Sequence, residues 1–171
     1  MPGDPAYPAV PESALDGWTL TEESVETLFQ LPAASVRGAT RRYEDERLRE
    51  EVRNGTDGEV DHELRFFAAT RLGFSPGLPP GTMPAMILPT VRSEAKRAFK
   101  QRLRERGVED VERSGRERMR VRSGARARLT RYDGVNPAVG LADHLGIAAD
   151  GLSGSPATYR DELLDLFRDV A

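Results

Sequence analysis

The chain has 171 residues, 31% of them charged and 38% apolar, with a formal net charge of −3 and no cysteine. This length fits a single domain, the small net charge excludes a global field drawing the molecule to nucleic acid, and the lack of cysteine excludes disulfides and thiol chemistry. No apolar run approaches the ~20 residues of a spanning helix, and Met1 to Pro8 has neither the basic start nor the apolar core of a signal peptide, so no membrane contact and a cytoplasmic location are expected.

Residues 1–16 carry Pro2, Pro5, Pro8 and Pro11 and read as a flexible or extended tail ahead of a domain at 17–171. Thr21, Glu22 and Glu23 suit a helix start, and Val25, Leu28 and Phe29 fall at helical spacing, which predicts a helix stopped by Pro32. Ser35 to Tyr43 reads as a strand weakened by Gly38. Glu44 to Arg53 reads as a short helix burying Leu48 and Val52. The turn Gly55-Thr56-Asp57-Gly58 matches the Gly-x-x-Gly of an RNA-binding loop only superficially, because a strand, not a helix, is expected after it.

That strand, His62 to Phe74, alternates. Leu64, Phe66, Ala68, Thr70, Leu72 and Phe74 share the more apolar face, and Phe67 and Ala69 lie opposite with Glu63, Arg65 and Arg71. Gly73 to Pro89 has five prolines and reads as a long irregular loop. Met83, Met86, Ile87 and Leu88 give it adaptable apolar surface for a ligand or partner. Thr90 to Arg106 is an amphipathic helix with the stripe Val91, Ala95, Ala98, Phe99 and Leu103, closed by Gly107 in the left-handed position with Val108 packing back. Val108 to Arg113 reads as a strand.

Arg116 to Tyr132 has the sharpest pattern, a β-hairpin. Met119 and Val121 alternate with Arg118, Arg120 and Arg122; Ala125, Ala127 and Leu129 alternate with Arg126, Arg128 and Thr130. A two-residue turn at Ser123-Gly124 would set Val121 against Arg126. A three-residue loop, Arg122-Ser123-Gly124, instead pairs Val121 with Ala125, Met119 with Ala127 and Glu117 with Leu129, and gives Gly124 the left-handed position. Arg116, Arg118, Arg120, Arg126 and Arg128 then share one face as a candidate anion-binding surface. Beyond Tyr132, Asn136-Pro137 opens a short helix, and Ser155-Pro156 starts a last one burying Tyr159, Leu163, Leu166, Phe167 and Val170.

Several stretches together resemble a small uncharacterised family of haloarchaeal proteins. They are Trp18, Val36-Arg37-Gly38, the strand Phe66 to Leu72, Leu78-Pro79-Pro80-Gly81, Pro89-Thr90-Val91 with Glu94-Ala95, Ser123-Gly124, Ala127 to Tyr132 and Tyr159 to Leu164. The resemblance implies a source, with which the presence of only two lysines, Lys96 and Lys100, agrees. It implies no activity or ligand. The family pattern continues after Tyr132 with further strand sequence; here Asp133-Gly134-Val135 runs into Asn136-Pro137. A missing last hairpin would leave an exposed sheet edge suited to homodimerisation.

Catalytic patterns are thin. Gly73-Phe74-Ser75-Pro76-Gly77 spells the Gly-x-Ser-x-Gly of a nucleophile elbow, but Gly77-Leu78-Pro79-Pro80 cannot continue as the helix such an elbow needs, and Pro76 lacks the N–H of an oxyanion donor. His62 and His144 have no partner at metal-ligand spacing, so neither metal nor cofactor is expected. Paired carboxylates at Glu22–Glu23, Glu50–Glu51 and Asp161–Glu162 fall on surfaces expected to be exposed. The expectation is an α+β domain: an antiparallel sheet of four or five strands with two main helices, 90–106 and the C-terminal one, packed on one face. Its role is binding or interaction rather than catalysis. Nucleic-acid or phosphate binding by the arginine face is the alternative, and serine hydrolysis at Ser75 the second.

Overall fold

Five antiparallel strands in two sheets, with two α-helices, make up the described part of the computed structural model, which covers residues 4–32, 34–78, 80–81 and 84–135. The class is the expected α+β, with the strands divided between the sheets. The first sheet has the order β1 (Trp18–Gln30), β2 (Ser35–Asp45), β3 (Phe66–Ser75), with helix α1 (Glu46–Gly55) between β2 and β3. Helix α2 (Pro84–Glu105) leads to the second sheet, β4 (Glu109–Arg120) and β5 (Arg126–Val135). The expected helices after Asn136 lie outside the described residues.

Residues 18–30 form a strand, not the helix their spacing predicts. Thr27 pairs with Arg37 and Phe29 with Val36, so Leu28 is an extra residue in the ladder. The bulge breaks strict alternation and puts Val25, Leu28 and Phe29 at an i, i+3, i+4 spacing that imitates a helix. Leu28 lies over Gly38: a Cβ there would stand 2.6 Å from Leu28 Cδ1 and 2.9 Å from Thr70 Cγ2. Gly38, which looks like a weakness in the sequence, is the gap into which two neighbouring strands pack.

β3 begins at Phe66 instead of His62, and its core face is the reverse of the expected one. Phe67 and Ala69 are buried with Tyr43, while Ala68 and Thr70 are exposed and Leu72 is 39% exposed. Val10, Ala14, Leu15 and Trp18 pack against that cluster. The proline-rich segment runs along the same face: Asp4 pairs with Arg37 at 2.5 Å, and the Pro8 carbonyl accepts from Arg41 at 3.3 Å. Proline cannot extend the ladder, but its fixed extended backbone lays apolar rings and free carbonyls over the sheet.

A buried ion pair fixes the far end of this sheet. Arg65 Nη1 donates to Asp45 Oδ2 at 2.7 Å, with side chains 6% and 1% exposed. Asp45 Oδ1 meanwhile accepts from the Leu48 N–H at 3.1 Å and so caps α1. The Arg65 guanidinium stands 4.9 Å from the Trp18 ring centroid. This is why Arg65 can share the core face of β3. α1 buries Leu48 and Val52 against Val60, as its sequence predicts.

Candidate anion-binding cleft

A cleft opens where α2 crosses the β4–β5 hairpin. The hairpin has the expected register: Met119 pairs with Ala127 and Glu117 with Leu129. The three-residue loop is closed by Val121 N–H to Ala125 O at 3.1 Å and Gly124 N–H to Val121 O at 2.8 Å, with Gly124 at φ 83°. Val121 is buried and Arg118 and Arg120 are exposed. Alternation therefore places Arg118 opposite Arg128, Arg120 opposite Arg126 and Arg116 opposite Thr130 on one face.

Helix α2 is brought back over the hairpin by a tight reversal. Gly107 takes φ 79°, its N–H donates to Arg104 O at 2.9 Å and the Val108 N–H to Leu103 O at 3.0 Å. This pair of bonds satisfies the last helical carbonyls and turns the chain into β4. α2 starts at Pro84, before the expected Thr90, and carries Pro89 within it. Its far end reaches the first sheet, where Arg106 pairs with Glu63 at 2.8 Å and lies 4.7 Å from the Phe66 ring; Arg102 also bonds Glu26.

The helix meets the arginine side of the hairpin, whereas the sequence reading set helices against the apolar side. Phe99 packs on Tyr132 with centroids 5.5 Å apart, and Tyr132 shares its strand face with Arg126, Arg128 and Thr130. Beyond that contact the helix and the hairpin flank a half-open cleft of about 840 Å³. Arg92, Ala95 and Lys96 line it from α2; Arg116, Glu117 and Arg118 from β4; Arg126 to Thr130 from β5.

Among the described residues the positive charge of the cleft is not compensated. The one carboxylate among the described residues that line it, Glu117, is held by Arg131 at 2.6 Å. Among the described residues, none of Arg92, Arg116, Arg118, Arg126 and Arg128 has a carboxylate within ion-pair distance. Arg116 presses the Lys96 ammonium below the ordinary lysine value, followed by desolvation and by Arg113, Arg128 and Arg92. The site therefore already disfavours one of its own positive charges.

Of the sequence-derived candidates, Arg116, Arg118, Arg126 and Arg128 come together here, and Arg120 lies on the same face outside the cavity wall. Arg92 and Lys96 were not anticipated. They occupy the edge of the stripe that holds Ala95 and Phe99, a spacing visible in the sequence, but the face that α2 contacts is not. The apolar candidates do not form a loop: Met86, Ile87 and Leu88 lie in α2, Met86 is 71% and Leu88 40% exposed, and Met83 lies outside the described residues. Ser75 is the last residue of β3, and residues 76–78 are not helical, so the strand–serine–helix elbow is not formed.

A family model matches residues 7–171 with the description "Domain of unknown function (DUF6517)". The chain belongs to this family. No curated protein and no solved structure matches it. Among the described residues, no helix is long and apolar enough to cross a membrane.

Proposed function

We propose that this chain is a non-catalytic binding domain whose site is the cleft between α2 and the β4–β5 hairpin, and whose ligands are anions. The observation that carries this reading is the convergence of five guanidiniums and one ammonium from three elements, with the only carboxylate lining the cleft among the described residues already paired. Planar guanidinium forks suit bidentate contacts with phosphate or carboxylate oxygens. A cytoplasmic, haloarchaeal setting is part of the proposal.

Titration calorimetry of the full chain with tripolyphosphate, a heparin oligosaccharide and an oligonucleotide tests this reading. At least one of them binds, and replacing Arg118 and Arg128 together by serine weakens that binding at least about tenfold. No heat from any of the three overturns it. A second reading, a protein partner on the first turns of α2, is favoured by the 71% exposure of Met86. Loss of a co-purifying partner in Met86→Glu, but not in the double serine variant, would support it.

A further inference from the structure

We infer that the cleft takes a compact ligand carrying several linked phosphates, such as a di- or triphosphate small molecule, and not a nucleic-acid strand; this rests on the anion-binding reading above. Three features of the cleft select among anions.

The first is access. A duplex needs a continuous surface along which its backbone can lie, and α2 crosses the arginine face with Arg92, Ala95 and Lys96. Phe99, itself 43% exposed, packs on Tyr132 at one end, with Lys100 Nζ 5.5 Å from the same ring. What remains, about 840 Å³, falls in the range of roughly 300–1,000 Å³ usual for small-molecule sites.

The second is what the walls lack. Proteins that hold single strands stack bases on exposed aromatic rings. Among the described residues no aromatic side chain lines this cleft, and Tyr132 is engaged by Phe99. The walls offer phosphate oxygens many donors and a base nothing flat to lie on.

The third is the amount of charge and its placement. Arg92 and Lys96 stand on one wall, and Arg116, Arg118, Arg126 and Arg128 on the other. One phosphate can engage one or two guanidinium forks, which leaves the remaining cations facing each other. Linked phosphates can reach both walls together and relieve the repulsion seen at Lys96. The Thr130 hydroxyl in the wall adds a neutral donor.

The test is competition calorimetry on the full chain at one fixed salt concentration, with tripolyphosphate, orthophosphate, a single-stranded oligonucleotide and a duplex as probes. Tripolyphosphate is expected to bind about 100-fold more tightly than orthophosphate, since each additional phosphate adds charge-assisted hydrogen bonds. It is also expected to bind more tightly than either nucleic acid. Lys96→Met and Arg128→Ser each weaken it about tenfold, whereas Arg71→Ser, an equal loss of charge at an exposed residue of β3 in the first sheet, leaves it unchanged. An oligonucleotide that displaces tripolyphosphate, with the same sensitivity to Arg128→Ser, overturns the compact ligand and leaves the anion-binding cleft standing. Tripolyphosphate binding indifferent to Lys96→Met and Arg128→Ser removes the cleft itself, and no binding by any probe removes both readings.

Discussion

The two sheets both carry arginine and treat it in opposite ways. On β2, Arg37 pairs with Asp4, Arg41 with Glu23 and Arg42 with Glu63, so each arginine of that strand meets a carboxylate. On β4 and β5, Arg118 faces Arg128 and Arg120 faces Arg126, and the only ion pair among the described residues of these strands is Arg131 with Glu117. The first arrangement consolidates a fold. The second stores repulsion, worth roughly 0.2–1 kcal/mol per like-charged pair directly opposite, at the place proposed as the anion site. A local rule broken in one region and obeyed in its neighbour marks the region where function is to be sought.

The largest effect should come from breaking the compensated side. Asp45→Ala removes both the buried partner of Arg65 and the cap of α1, and should cost about 3–5 kcal/mol in urea unfolding. A loss below about 1 kcal/mol would show that this pair does not anchor the sheet. Gly38→Ala drives a methyl group into Leu28 and Thr70 and should cost about 1–3 kcal/mol by the same measurement. No loss there would mean that the bulge at Leu28 yields freely.

The hairpin should respond with the opposite sign. Arg118→Ser is expected to leave stability unchanged or raise it by up to ~1 kcal/mol at low salt, with the gain fading as salt is added. Destabilisation by this change would mean that the arginine face is compensated after all.

The smallest effects are in pH dependence, and they separate the sheets again. Arg49 holds the Asp61 carboxylate below its usual range, so its contribution is present above the ordinary aspartate value and is lost as pH falls through the depressed folded one. Lys96 is also depressed, but it is a base. Its charged form is penalised in the folded state, so stability rises as pH climbs through the depressed value toward the ordinary lysine one. Asp61→Asn should remove the acid-side loss and Lys96→Met the alkaline gain, both read from melting temperature against pH.

What the sequence made legible follows the same division between local and distant causes. The hairpin register, its three-residue loop and Gly124 could be read because turn chemistry and period-two alternation are settled within a few residues. The same holds for Gly107 and for Leu48 and Val52 of α1. β1 was misread because one bulge gave its apolar residues a helical spacing. The core face of β3 was reversed because Arg65 is buried by Asp45, twenty residues away in the chain. Four arginines of the cleft were visible, but Arg92 and Lys96 became part of it only through the docking of α2, a packing choice set by Phe99 and Tyr132 together.

Lys96 is one of only two lysines in the chain, so its side-chain nuclear magnetic resonance signal can be assigned by a single substitution and followed through an alkaline titration. If the cleft is uncompensated, Lys96 loses its proton below the ordinary lysine value and shifts upward when tripolyphosphate is added. A Lys96 that titrates at or above the ordinary value, and does not respond to the anion, contradicts the account.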